Sequence, residues 1–98
     1  MNKQNIELLL KKNRKEIKKM GASTIGLFGS FVKNKQNATS DIDLLINFQK
    51  GEKTYKNFIR LNFYLEDLFK REVELMTEDS LSPYLKPNIL KEVEYVFS

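Results

Sequence analysis

The residues best suited to chemistry in this sequence are a glycine–serine pair and two aspartates, with ten residues between them. Gly29-Ser30 ends one apolar run, and Asp41 and Asp43 open another. Carboxylates at positions i and i+2 of a strand project from one face, with Cα atoms about 6–7 Å apart, so they can converge on one hard cation. Mg²⁺ suits such a pair because proteins hold it with one or two carboxylates plus substrate phosphates and water. Free backbone N–H groups at Gly29-Ser30 and the Ser30 hydroxyl would cradle a phosphate.

A plainer interpretation stays open for the aspartates, in which Asp41 caps a strand and Asp43 is a solvated residue on a half-exposed sheet. Aspartate is depleted in strands, so two on one face favour a function. Other phosphate motifs are missing: the sequence has neither a P-loop nor a Gly-x-Gly-x-x-Gly fingerprint.

Composition removes several classes of chemistry. The chain has no cysteine and no histidine, which excludes thiolate nucleophiles, disulfides, imidazole metal ligands and the Ser-His-Asp triad. The net charge of +4 is partly local, because six of the 17 basic residues lie between Lys11 and Lys19. No aromatic residue interrupts that stretch, so a solvated helix face is the better interpretation and nucleic-acid binding ranks last.

A length of 98 residues predicts one domain, residues 1–98. The longest uncharged run, Met20 to Val32, is shorter than the roughly 20 apolar residues of a membrane span. The first residues show no secretory signal, so we expect a cytoplasmic protein with no membrane association.

Periodicity predicts the elements that position these residues. An apolar stripe with helical spacing predicts a first helix that ends at Gly21; it comprises Ile6, Leu9, Leu10, Ile17 and Met20. A buried strand follows at Thr24–Phe28, and a short helix is expected directly after Gly29-Ser30. Residues 33–40 should form the end of that helix and a loop.

The second half of the chain repeats the alternation of strand and helix. Ile42 to Phe48 predicts a strand, Tyr55 to Lys70 a helix and Glu72 to Thr77 a third strand. Two short helical turns should follow within residues 80–93, and residues 95–97 should add an edge strand. The predicted fold is α/β (α+β), a small mixed sheet with helices packed on it.

Four segments resemble one known family. Leu27-Phe28-Gly29-Ser30, then residues 40–45 (Ser-Asp-Ile-Asp-Leu-Leu), resemble the signature of the minimal nucleotidyltransferases of the polymerase-beta superfamily. Residues 71–77 look like the strand of the family's third carboxylate, and residues 79–92 like its closing segment. The chain is most similar to the MntA-like group, the antitoxin partners of HEPN toxins, along nearly its whole length.

The resemblance implies a nucleotidyltransferase fold and a two-metal transfer of AMP from ATP to a hydroxyl of a partner protein, a HEPN toxin. Asp41, Asp43 and Glu74 would hold Mg²⁺, with Glu74 also orienting or deprotonating the attacking hydroxyl. Gly29, Ser30 and Lys33 would bind the phosphates. Phosphoryl transfer needs positioning and charge neutralisation, so a site without histidine or cysteine is adequate.

Two departures from the family pattern keep other functions open. Glu74 stands where the family usually has aspartate, and Phe31 follows Gly29-Ser30 where an arginine is usual, which leaves Lys33 as the nearby cation. One alternative is a degenerate module that neutralises its partner by binding alone. Another is a transferase for a small molecule of the aminoglycoside type, although such enzymes usually carry a further helical domain.

The helix at residues 55–69 carries more apolar surface than one packing face needs. One interpretation is that these apolar residues all pack in the core. The other is that Phe63 and Tyr64 form a patch that binds a partner protein, either a second copy in a homodimer or a toxin in a hetero-oligomer.

Overall fold

The computed structural model describes residues 1–97. Its helices are α1 (Lys3–Lys12), α2 (Arg14–Lys19), α3 (Tyr55–Phe69) and α4 (Lys86–Glu92). Its strands are β1 (Ala22–Phe28), β2 (Ile42–Phe48), β3 (Val73–Thr77) and β4 (Glu94–Phe97). Short 3-10 turns lie at Gly29–Phe31 and Glu78–Ser80.

The four strands form one mixed sheet in the order β3-β2-β1-β4. Strand β1 runs antiparallel to both β2 and β4, whereas β2 and β3 are parallel. A parallel pair needs a crossover connection, which α3 supplies between β2 and β3. The predicted fold class, a small mixed sheet with helices packed on it, is therefore confirmed.

One face of the sheet, the helix face, carries the main hydrophobic core. Alternate residues of β2 point into it, namely Ile42, Leu44 and Ile46, and all three are fully buried. They pack with the apolar residues of α1, α2 and α3. Such a core stabilises the domain mainly through the apolar area that it removes from water.

The first predicted helix is two helices, which corrects that prediction. Asn13 separates α1 from α2, and its side-chain amide donates to the carbonyl oxygen of Leu9 at 2.8 Å. A side chain that bonds the backbone in this way competes with the helical ladder. The apolar stripe still crosses the break, since Ile6, Leu10 and Ile17 are all buried. Gly21 follows α2 with φ +102°, as expected of a glycine that ends a helix.

The remaining elements lie close to their predicted positions. Strand β1 begins at Ala22 rather than Thr24, β3 begins at Val73 rather than Glu72, and the edge strand β4 includes Glu94. The short helix expected after Gly29-Ser30 is only the 3-10 turn, and residues 33–40 lie outside any helix.

Helix α3 has a capping hydrogen bond at its start and a left-handed residue at its end. The backbone N–H of Asn57 donates to the Thr54 side chain at 3.1 Å, and Lys70 has φ 53°.

The two residues of the expected partner patch on α3 differ in their surroundings. Phe63 is 66% exposed, but Tyr64 packs against the core and donates its hydroxyl to Asn13 at 2.9 Å. Tyr64 is therefore part of the fold, and the patch is not formed as predicted.

The other face of the sheet, the carboxylate face, carries Asp43 and Glu74 together with a smaller apolar cluster. Helix α4 and the turn before it cover this cluster, whose buried members are Phe28, Leu45 and Leu81. The last turn of α4 brings Glu92 to the same end of the sheet as Gly29. Among residues 1–97, no helix is long and apolar enough to cross a membrane.

Candidate functional site

The centre of the candidate site is a pair of carboxylates on adjacent strands. Asp43 of β2 and Glu74 of β3 are direct partners in the parallel register, and their carboxyl groups lie close enough to interact. The two side chains share a face because residues aligned across a sheet project to the same side. The sequence placed both residues in the site, but it did not show that they are neighbours.

The surroundings of Asp43 favour its protonated form. Burial, the hydrogen bond to Glu74 and the negative charges of Glu74, Asp41 and Glu92 raise the pKa of Asp43 from 3.8 to about 7. A half-buried carboxyl with acidic neighbours on several sides has too little positive charge beside it to be stable as an anion. A bound cation would supply that charge.

Asp41 lies just before β2, exposed to solvent, and close enough for its charge to act on Asp43. Within residues 1–97, no group of three or more acidic, histidine or cysteine side chains is already gathered closely enough to hold a metal ion. The donor set nevertheless fits Mg²⁺, because all of these groups supply carboxylate oxygens. Binding would require the side chains of Asp41 and Glu74 to rotate towards Asp43, and both are exposed.

The glycine turn faces Asp43 directly. Phe28 pairs with Asp43 across β1 and β2, so Gly29 begins the 3-10 turn beside the carboxylate. Gly29 has φ +78°, and a Cβ built on it would overlap Asp43 Oδ2 and lie 2.9 Å from Asp43 Cγ. Only glycine permits both the left-handed backbone and this close approach.

The groups predicted to bind phosphate are brought together, and two of them contact a residue that the sequence did not place in the site. The backbone N–H of Gly29 donates to Glu92 Oε1 at 2.9 Å, so it is not the free phosphate-binding group that the sequence predicted. The Lys33 ammonium pairs with Glu92 Oε2 at 3.2 Å. Ser30 follows Gly29 in the same turn and is half-buried.

The sequence also did not predict a role for Arg71. Its guanidinium lies over the Phe31 ring, 5.4 Å from the centroid, and donates to the carbonyl oxygen of Ser40 at 3.2 Å. Phe31 directly follows Gly29-Ser30, and Ser40 directly precedes Asp41. Arg71 therefore connects the two halves of the motif, in a chain that has no arginine in the residues directly after Gly29-Ser30. Its position one residue before the predicted third strand was visible, but its contacts were not.

A family model described as the nucleotidyltransferase domain matches residues 9–96. A Methanocaldococcus jannaschii protein provisionally named a protein adenylyltransferase is 39% identical over 93 residues, which cover 93% of this chain and 94% of that protein. The protein adenylyltransferase MntA of Thermococcus cleftensis is 36% identical over 94 residues, which cover 95% of this chain and 94% of that protein.

Solved structures agree with the fold. A structure described provisionally as a minimal nucleotidyltransferase has a TM-score of 0.82 and 28% identity, covering 96% of this chain and 95% of its own. A complex described as a tri-AMPylated Shewanella oneidensis HEPN toxin with an MNT antitoxin has a TM-score of 0.68 at 19% identity, covering 95% of this chain and 72% of its own. With the match over residues 9–96 and the two relatives above 30% identity, the chain belongs to the nucleotidyltransferase domain family and is a nucleotidyltransferase.

Proposed function

We propose that this nucleotidyltransferase transfers AMP from ATP, with Mg²⁺, to a hydroxyl group of a partner protein. The observation that carries the proposal is the pairing of Asp43 with Glu74 beside the Gly29 turn. A carboxylate pair with too little positive charge beside it suits a metal-bound triphosphate.

The proposed roles follow the positions of the side chains. Asp41, Asp43 and Glu74 would hold Mg²⁺, which when bound neutralises charge on the phosphates and on the leaving pyrophosphate. The Ser30 hydroxyl and the backbone N–H of Ser30 would contact the phosphates, while the Gly29 N–H stays with Glu92. Lys33 would contribute a point charge once its ammonium turns from Glu92 towards the nucleotide.

In the proposed reaction the acceptor oxygen attacks the α-phosphorus of ATP. The new bond joins that oxygen to phosphorus, the bond from the α-phosphorus to the bridging oxygen breaks, and pyrophosphate leaves. Glu74 would accept the hydroxyl proton, because its side chain is exposed on the carboxylate face next to Asp43. Carboxylates are established general bases when they lie within hydrogen-bonding reach of the proton.

The nature of the acceptor is supported by the names of similar proteins. Two relatives above 35% identity are named protein adenylyltransferases, one of them provisionally. A structure with the same fold holds an AMPylated HEPN toxin. We therefore propose a HEPN toxin as the partner, modification of that toxin as the antitoxin function, and the cytoplasm as the place of the reaction. That residues 1–98 form one such domain stays a prediction.

The alternative is a module that neutralises its partner by binding alone. It is favoured by the ion pair between Lys33 and Glu92, which occupies the cation that was expected to bind phosphate. If transfer is the function, a variant without the Asp43 carboxylate no longer neutralises the partner. If binding alone is the function, that variant still does.

To decide between the two functions, the protein is incubated in host lysate with Mg²⁺ and with ATP that is labelled at the α-phosphate. The variants are Asp43→Ala and, as a matched control, Asp67→Ala, which removes an exposed carboxylate of α3 that pairs with Lys70 and has no proposed role in the site. A protein band labelled by the wild type and by Asp67→Ala, but not by Asp43→Ala, supports transfer. If no band is labelled and a partner co-purifies equally with all three versions, binding alone becomes the better account.

A further inference from the structure

We infer that Glu92 is a positioning residue of the site, which acts through Gly29 on the carboxylate of Asp43. Its side chain comes from the last turn of α4, 63 positions along the chain from Gly29. The inference rests on the proposed function, since it concerns the geometry that metal and nucleotide would meet.

The first link is the contact between Glu92 and the glycine turn. Glu92 Oε1 accepts the Gly29 N–H at 2.9 Å, and Oε2 pairs with Lys33 at 3.2 Å. Its carboxylate is therefore held at both oxygens, and its side chain is only 22% exposed. A charge-assisted hydrogen bond of this kind is stronger than a neutral one and fixes the backbone that donates it.

The second link is the contact between the glycine turn and Asp43. The Gly29 backbone approaches Asp43 so closely that even a methyl group would overlap the carboxylate. A small displacement of Gly29 therefore changes the space in which Asp43 can rotate. Metal ligands in proteins depend on such supporting contacts, and Mg²⁺ tolerates poor geometry badly.

The electrostatics of the site argue that this contact serves the geometry. Glu92 brings a negative charge to the end of the sheet that already carries Asp41, Asp43 and Glu74. Like charges grouped in this way destabilise the folded protein when no cation is bound. The hydrogen bond to Gly29 and the ion pair with Lys33 are the favourable contacts that offset this repulsion.

Two substitutions separate the hydrogen bond from the charge. Glu92→Gln keeps an oxygen that accepts the Gly29 N–H but loses the charge, whereas Glu92→Ala loses both. Lys91→Ala, an exposed neighbour on α4, is the control for general damage to that helix. Thermal unfolding of all four proteins checks that each is folded at the assay temperature.

Amide hydrogen exchange and a Mg²⁺ titration, both followed by NMR on ¹⁵N-labelled protein, test the two links without any acceptor. We expect Gly29 to exchange about tenfold faster in Glu92→Ala than in the wild type, Glu92→Gln or Lys91→Ala. We expect Glu92→Ala to bind Mg²⁺ several-fold more weakly than Glu92→Gln, although both lack the same charge. Equal Mg²⁺ affinity in these two variants would overturn the inference.

The transfer reaction adds a third readout. At saturating ATP, Glu92→Gln should stay within about threefold of the wild type, and Glu92→Ala should be about tenfold slower. Equal loss in both variants would mean that the charge itself acts, and faster transfer or tighter ATP binding in Glu92→Ala would mean that Glu92 obstructs the nucleotide; either result overturns the inference. If the wild type transfers nothing, the proposed function fails, while the exchange and Mg²⁺ data still decide the role of Glu92.

Discussion

The two faces of the sheet are built from the same strands but on opposite principles. On β2, Ile42, Leu44 and Ile46 enter the helix face, where they are fully buried among apolar side chains. Asp43, between two of them in sequence, points to the carboxylate face, where Glu74 lies beside it. The helix face stabilises the fold, whereas the carboxylate face places like charges together. The free energy gained by burying apolar side chains on the helix face therefore allows the carboxylate face to hold charged groups that destabilise the folded protein.

The largest loss of stability should follow the removal of an apolar side chain from the helix face. Leu44→Ala leaves a cavity in a fully buried position and should lower the free energy of unfolding by about 2–5 kcal/mol. Urea denaturation measures the change, with the exposed Leu8→Ala of α1 as the control. A loss below about 1 kcal/mol would contradict the assignment of Leu44 to a tightly packed core.

The corresponding change on the carboxylate face is Asp43→Asn, one position away. We expect transfer of labelled AMP to fall at least about 100-fold, equivalent to about 2.7 kcal/mol of activation free energy, because the amide cannot hold a cation as a carboxylate does. The folded protein should remain intact, since asparagine has nearly the same shape. Activity within tenfold of the wild type would remove Asp43 from the proposed metal site.

The pH dependence of stability tests whether the ionised carboxylate of Asp43 destabilises the folded protein. The pKa of Asp43 is about 7 in the folded protein and near 3.8 when unfolded, so between these values the folded state binds more protons. The free energy of unfolding of the metal-free protein should therefore fall as pH rises from about 4 to 7. We expect Asp43 to contribute about 1–2 kcal/mol of this fall, less than the roughly 4 kcal/mol of the full pKa difference, because water screens a half-buried group.

The measurement is urea denaturation with a chelator at several pH values, for the wild type and Asp43→Asn. The difference between the two isolates Asp43 from the other acidic groups. Asp43→Asn should be the more stable protein at pH 8 and lose that advantage near pH 4. The same slope in both proteins would contradict the raised pKa, and Mg²⁺ at pH 8 should narrow the gap by stabilising the wild type alone.

The smallest expected effect concerns Arg71, which lies where the two faces meet. Arg71 contacts Phe31, which belongs to the core of the helix face, and Ser40, which directly precedes Asp41. Arg71→Lys keeps the charge but loses the planar group that stacks on Phe31. We expect stability to fall by about 0.5–1 kcal/mol, measured by thermal unfolding, with the exposed Arg60→Lys as the control. An equal change in stability in the two variants would mean that the stacking of Arg71 on Phe31 does not stabilise the fold.

The local elements were predictable because their signals are local. Strand β2 was predicted with the bounds that the structure has, since Ile42, Leu44 and Ile46 alternate with other residues over a short distance. The break at Asn13 was missed because the apolar stripe continues across it. Tyr64 was assigned to a partner patch because helical periodicity does not reveal that its hydroxyl reaches Asn13.

Residue types and spacing were enough to propose Asp41, Asp43 and the Gly29-Ser30 turn as candidates and to predict most helices and strands, whereas Glu74 was proposed through the family resemblance. The parallel pairing of β3 with β2, which brings Glu74 beside Asp43, appears first in the folded chain. Only the tertiary structure decided that Glu92 reaches Gly29 from the far end of the chain. The physical reason is that side-chain spacing within an element follows from backbone geometry alone, whereas strand pairing and long-range contacts depend on how the whole core packs.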